Sequence, residues 1–247
     1  MISVVVPLYN YAHFIEDNIK SIINQSYSDW ELIIVDDAST DNPLKIIDKY
    51  LSGKIKYVIL DSNKGYGHAK NVGIRHSRGE YIVVLDADDM LTPTSLESRL
   101  NFMTKRPKLK WVHAKAYEFN GSKPYKFRIV ERKATRRLKK ILRNKDYRDL
   151  WTNIHAQTVM IHRSVYEQLG LYEESIRSMG DKEMWARIIN NVGVPGYLKK
   201  FVVYYRGHKA QMHRSKFKRK NVDKLTSKLK KLIKSRRKGK FEGAPVL

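Results

Sequence analysis

Four short apolar runs recur along the first 103 residues, each closed by a polar loop and followed by a helical pattern. Residues 2–6, 30–35, 55–60 and 81–85 are rich in Val, Ile and Leu and read as buried strands. The first is expected to end at Pro7. Between the runs, Phe14, Ile15, Ile19, Ile22 and Ile23 repeat at helical spacing. Leu44, Ile46, Ile47 and Tyr50 do so after Asp41, which is expected to cap or precede that helix. Residues 65–77 lead from a loop into a third helix. Such alternation implies a parallel sheet with helices on both faces, whose ligands sit beyond the carboxyl ends of the strands. The loops at Pro7–Asn10, Asp36–Thr40 and Asp86–Asp89 all lie at such ends, so three polar loops converge on one crevice.

Beyond residue 103 the patterning is looser. A helix over 96–103 precedes strands at 111–119 and 154–161, helices at 164–169 and 182–189, and a strand at 202–205. From Lys224 a basic helix carries a thin apolar stripe of Leu225, Leu229, Leu232 and Ile233, and residues 239–247 read as a loose tail. There is no internal repeat and no separate second domain. The absence of cysteine excludes disulfides and thiolate metal sites and fits a reducing compartment. The N-terminus lacks the basic region of a signal peptide, and the longest apolar run falls short of a membrane span.

Charge divides the chain unevenly. The net formal charge is +24, yet residues 1–103 hold 10 Lys/Arg against 14 Asp/Glu, a net of −4, leaving +28 for residues 104–247. The segment 123–148 alone carries 12 basic and two acidic groups, interleaved with Tyr125, Phe127 and Tyr147. The second half is expected to meet something anionic.

The densest chemistry is Asp86-Ala-Asp88-Asp89, at the end of an apolar strand. Carboxylates this close repel unless a cation or several donors compensate them, and hard oxygen ligands suit Mg²⁺ or Mn²⁺ clamped onto a diphosphate. The plain structural alternative is a surface turn or a helix N-terminus.

Four sets of residues carry a resemblance. Pro7-Leu-Tyr-Asn10, Asp36-Asp37-Ala-Ser-Thr40, Gly65 with Ala69-Lys-Asn71-Val-Gly73, and Asp86-Ala-Asp88-Asp89 follow one another in the order found in family 2 glycosyltransferases of the GT-A fold. Gly180-Asp181-Lys-Glu183-Met-Trp185 and Arg206-Gly-His208 resemble the family's later motifs, with Gly180 where a Glu is usual. The resemblance covers roughly residues 1–120 and 150–215. It implies a single GT-A domain over 1–215, α/β with a mostly parallel, Rossmann-like central sheet. Its donor half is 1–103 and its acceptor half 104–215, and 216–247 form a basic helical extension.

The resemblance also implies roles. Tyr9 would stack on the nucleotide base, with Pro7 shaping that pocket and Tyr11 as the alternative stacker. Asp36 would accept from the base imide N–H, and Asp37 would hold the amides around Ser39 and Thr40. Lys70 would approach the base or phosphates, while Asn71 and Gly73 shape the loop. Asp86 would bind the ribose and Asp88 the Mn²⁺ or Mg²⁺, with Asp89 assisting or binding sugar hydroxyls. His208 would complete the metal sphere, with His213 as competitor. Asp181 would be the general base of an inverting transfer, against the alternatives of an N-cap for its helix or of Glu183 as base. Trp185 would line a sugar subsite or pack in the core.

The donor expected from the resemblance is a nucleotide-sugar, UDP-linked by analogy. Lys126, Arg128, Arg136 and Arg137 in the basic segment, with Trp185, are the expected acceptor contacts. Charge beside the acceptor side favours DNA bearing a hydroxymethylated base, as in viral DNA modification, with a cytoplasmic location that for a virus-encoded protein is the host's. The alternative is a membrane-peripheral enzyme building a cell-surface polysaccharide or glycolipid at an anionic membrane surface. A third reading is a non-catalytic nucleic-acid-binding protein on a transferase scaffold.

Overall fold

A computed structural model describes residues 1–120, 128–130, 154–176 and 180–208. Nine strands form one sheet in the order β3-β2-β1-β4-β8-β6-β9-β5, with β7 paired to β6. The strands are β1 (Ile2–Leu8), β2 (Trp30–Asp36), β3 (Ile55–Ile59), β4 (Tyr81–Val84), β5 (Met90–Leu91), β6 (Trp111–Phe119), β7 (Arg128–Val130), β8 (Met160–His162) and β9 (Gly196–Arg206). The helices are α1 (Ala12–Ile23), α2 (Leu44–Ile47), α3 (Tyr66–His76), α4 (Ser95–Thr104), α5 (Ser164–Leu169) and α6 (Gly180–Asn191).

The first four strands in space, β3-β2-β1-β4, are all parallel, as the strand–helix alternation requires. Every residue of β1 and β2 is buried, which explains why both read as continuous apolar runs rather than alternating ones. Beyond β4 the sheet is mixed: β8 is antiparallel to both β4 and β6, whereas β6 and β9 run parallel.

Two sequence expectations are corrected. Pro7 does not end β1 but sits inside it, opposite Val35 of β2. Val5 turns its carbonyl toward the β4 side, where Leu85 N–H donates to it at 3.0 Å, and Pro7, two residues on, faces the same way. Pairing of β1 with β4 stops at Val5–Val84, so the missing proline N–H has no strand to serve. The expected strand over 154–161 is mostly a turn. His155 O accepts from both the N–H and the hydroxyl of Thr158, making a 3₁₀ turn over Ala156–Thr158, and only Met160–His162 pairs as a strand. Asp41 precedes α2 as expected, and its carboxylate serves another helix, accepting the N–H of Ala12, the first residue of α1, at 2.8 Å. The tail stripe of Leu225, Leu229, Leu232 and Ile233 lies outside the described residues.

Helix α3 lies unusually close to the sheet. A Cβ at Gly73 would overlap Val5 Cγ1 and crowd Val35 Cγ2, so only glycine permits this approach. Ala69, one turn earlier, packs with Ile33 and Val35. This small-residue face sets the depth from which α3 projects Lys70 and Asn71.

Candidate active site

The loops after β1 and β2 are stitched into one rim. Asn10 N–H donates to Ser39 Oγ at 2.9 Å, and Asn10 Oδ1 accepts from Thr40 N–H at 2.8 Å. Asn10 and Ala38 both hold positive φ, 56° and 60°. An alanine in that region is strained, and this exchange of hydrogen bonds holds the loop there. Asp36 is buried at the end of β2, accepting Ser39 N–H at 2.9 Å on one oxygen and the Tyr57 hydroxyl on the other. Burial, followed by the Asp36 contact, pushes the Tyr57 hydroxyl well above its ordinary pKa, so it stays a donor. Asp37 does not hold the amides around Ser39 and Thr40 as expected. It accepts Lys64 N–H at 2.7 Å and Gly65 N–H at 2.8 Å, anchoring the start of α3. Tyr9 is 45% exposed on this rim, whereas Tyr11 is tucked edge-on against His208 at 5.6 Å between centroids.

The acidic loop follows β4. Asp86, Asp88 and Asp89 each offer an oxygen within 4.8 Å of the others. Asn18 of α1 ties the loop down, donating from Nδ2 to the carbonyls of Asp86 and Asp89, both at 2.9 Å. Arg206, at the end of β9, donates its backbone N–H to Asp89 Oδ1 and its Nε to the Asp88 carbonyl, both at 2.8 Å. His208 Nε2 lies 2.8 Å from Asp88 Oδ2. The two residues named for the metal are thus brought together, across 120 residues of sequence; His213 lies outside the described residues.

Burial and mutual repulsion dominate the loop's electrostatics. Burial, and then the neighbouring Asp88, push Asp86 up to about 7, and the same two causes push Asp89 well above the carboxylate range. Asp89 Oδ2 is buried with no hydrogen-bond partner among the described residues. Three acids and an imidazole are a hard donor set of the kind that holds Mn²⁺ or Mg²⁺.

Asp86 also faces the other side of the crevice. Its Oδ1 accepts the Tyr66 hydroxyl and its Oδ2 the Gln157 amide. Tyr66, Gln157, Tyr172, Asp181 and Trp185 line a cavity beside it. Asp181 stands in the first turn of α6, its side chain 23% exposed, with Oδ1 2.6 Å from Lys70 Nζ. Lys70, expected to approach the base or phosphates, is fully buried and paired with Asp181. Asn71 clamps the segment leading to α6: its amide accepts from Tyr172 N–H at 2.9 Å and donates to Tyr172 O at 2.8 Å.

Glu183 is separated from this cavity. It is buried in a two-pronged pair with Arg187 at 2.6 and 3.1 Å, and Arg187 also donates to the carbonyls of Leu169, Gly170 and Leu171. Trp185 both borders the cavity and packs in the core at 3% exposure. Gly180 faces open space, so a larger side chain would meet nothing among the described residues there. Arg128 contributes backbone to β7, while Lys126, Arg136 and Arg137 lie outside the described residues. Tyr57, Tyr66, Gln157 and Asn18 escaped sequence reasoning because each acts across the fold on a carboxylate loop, from a position with no local motif. No helix among the described residues is long and apolar enough to cross a membrane.

A family model described as glycosyl transferase family 2 matches residues 3–170. The putative teichuronic acid biosynthesis glycosyltransferase TuaG of Bacillus subtilis is 39% identical over 108 residues, 43% of this chain and 43% of that protein, so the chain matches under half the length of that relative. S. aureus TarS 1–349, solved in complex with UDP-GlcNAc, superposes with a TM-score of 0.71 at 22% identity, over 92% of this chain and 66% of that one. The mannosyltransferase PcManGT of Pyrobaculum calidifontis, solved with GDP-Man and Mn²⁺, gives 0.65 at 22% identity, over 86% and 58%. At these identities the two structures show a shared GT-A fold.

Proposed function

The chain belongs to glycosyl transferase family 2, and from that membership we propose that it moves a sugar from a UDP-linked donor to a hydroxyl of a cell-surface polysaccharide or glycolipid, with inversion at C1. The observation that carries this reading is that two unlike carboxylate sites share neighbours. Asp86, beside Asp88 and His208, accepts from Tyr66 and Gln157, and those two side chains line a cavity together with Asp181. Tyr9 and Asp36 stand at the nucleotide end, Tyr9 as an exposed ring for base stacking and Asp36 as an acceptor for the base imide. Asp36 keeps that role because Tyr57 and the Ser39 amide, both donors, fix its two oxygens.

Asp88 and His208, with Asp86, would hold the Mn²⁺ or Mg²⁺, which when bound supplies positive charge against the departing diphosphate. Asp181 takes the acceptor hydroxyl proton as that oxygen attacks C1. The bond from C1 to the diphosphate oxygen breaks on the opposite face, its electron pair leaving with the diphosphate. Trp185 and Tyr172 line the cavity beside Asp181.

The acceptor is drawn from relatives. The teichuronic acid assignment of the B. subtilis protein supports a surface-polymer acceptor over the hydroxymethylated DNA that charge alone suggested. The basic segment 123–148 suits a polyanionic glycan or an anionic membrane surface equally well. The test is a turnover screen with Mn²⁺ over UDP-GlcNAc, UDP-glucose and GDP-mannose. Each donor is offered with undecaprenyl-diphosphate-linked sugar, teichuronic-type polymer or hydroxymethylated duplex DNA. Transfer to the lipid-linked or polymer acceptor is the expected result. Transfer to DNA alone would restore the nucleic-acid reading, and no turnover of any donor would sink the transferase reading.

A further inference from the structure

We propose that Lys70 is a positioning residue for Asp181: its ammonium occupies Oδ1 of that carboxylate and leaves Oδ2 as the oxygen presented to the acceptor. This rests on the reading of Asp181 as the base and goes beyond it by naming what orients it. Lys70 is fully buried, near enough to Asp86 to act on that carboxyl, and its Nζ meets one carboxylate oxygen and two rings. Asp181 Oδ1 lies at 2.6 Å, the Tyr172 ring at 3.7 Å and the Tyr66 ring at 4.2 Å to their centroids. A buried ammonium is costly unless it is paired, and two aromatic faces plus one carboxylate oxygen pair it on three sides. Asp181 Oδ2 has no hydrogen-bond partner among the described residues, and the side chain keeps 23% of its surface open. Among the described residues, one oxygen is held and the other is open.

The seat of the lysine is fixed from several directions. Asp37 binds the amides of Lys64 and Gly65 at the head of α3. Gly73 lets α3 settle onto Val5 and Val35, and Asn71 binds both backbone groups of Tyr172, which forms one wall of the cage. Tyr66, the other wall, donates its hydroxyl to Asp86. A carboxylate on the first turn of a helix has a free χ1 and χ2; this cage removes that freedom before any substrate arrives.

The test is a cycle of Lys70→Met, Asp181→Asn and the double variant, with Lys70→Arg as the conservative partner. Melting temperature, UDP affinity with Mn²⁺ and turnover of the fastest donor in the screen above are measured on each. Methionine keeps the length and fills the space between the rings, so the fold is expected to survive. Lys70→Met is expected to lower kcat about 30-fold or more while UDP affinity and donor KM stay within about threefold, with Lys70→Arg recovering part of the loss. The double variant should turn over no more slowly than Asp181→Asn alone, because the two side chains act as one unit. It should also melt higher than Asp181→Asn, which leaves the ammonium buried without its partner.

Three results overturn the proposal. One is multiplicative kinetic losses in the double variant. Another is weakened UDP binding with kcat unchanged, which makes Lys70 a donor ligand. The third is a double variant that melts no higher than Asp181→Asn, which means the pair does not form. If instead Asp181→Asn keeps wild-type turnover, the base assignment fails. The melting comparison then still decides whether the pair exists.

Discussion

The two sides of the crevice are built differently. The side proposed for the nucleotide is made of loops at the ends of adjacent parallel strands, joined by hydrogen bonds between loops such as Asn10 with Ser39 and Thr40. The opposite side hangs on buried charge: Lys70 with Asp181, and Glu183 with Arg187 on the same helix. Hydrogen-bonded loops of the first kind tolerate rearrangement one contact at a time. A buried ion pair fails as a whole when one member is removed, because the other is left uncompensated. The difference predicts that substitutions on the nucleotide side separate binding from stability, and that those on the α6 side entangle them.

The largest expected effect falls on the acidic loop. Asp88→Asn should abolish Mn²⁺ binding by calorimetry and reduce turnover about 10³-fold or more, with little loss of melting temperature. Asp181→Asn comes next, at about 10²–10⁴-fold in kcat. Its neighbour Glu183 sharpens the contrast: Glu183→Gln should keep turnover per folded molecule within about threefold. It should still cost about 3–5 kcal/mol of stability, since it leaves Arg187 buried without a counter-charge. Smaller again is Gly73→Ala, which forces a Cβ into Val5 and should lower stability by about 1–3 kcal/mol in a denaturant titration.

The smallest effect concerns pH. The Asp86 carboxyl, raised by burial and then by Asp88, titrates at about 7 in the folded metal-free protein and near the ordinary carboxylate value when unfolded. Between those values the folded state binds the extra proton. Its stability therefore falls as pH rises through that window, and the penalty is complete above about 7. Metal-free Asp86→Asn should accordingly melt higher than wild type at pH 8, and the gap should close as pH drops toward 5. Saturating Mn²⁺ should also close it at pH 8, by stabilising only the protein that binds it.

These contrasts also explain what the sequence disclosed. The parallel half was legible because fully buried strands leave unbroken apolar runs and because its functional loops fall at strand ends. The acidic loop and the Arg206–His208 pair could be read as partners, although β9 brings them together only through the fold. Tyr57, Tyr66 and Gln157 could not, since a side chain that steadies a carboxylate from another element needs no particular neighbour in sequence. The partner of Lys70 was hidden for the same reason. A lysine in a donor-side motif suggests phosphate, and only the depth allowed by Ala69 and Gly73 shows that it also meets the far carboxylate. Pro7 misled through chemistry: proline stops a strand only where a neighbour demands its N–H, and β4 has already turned away.

The bond from Arg206 to Asp89 has a consequence for the timing of synthesis. The two residues are separated by 117 positions. At roughly 5–20 residues per second, a ribosome delivers Arg206 about 6–23 seconds after Asp89. Throughout that interval the emerging chain has its three acids but neither the Arg206 donors that tie down their loop nor the imidazole of His208. The parallel half can begin to assemble early, but the acidic corner is closed by β9, the last strand among the described residues.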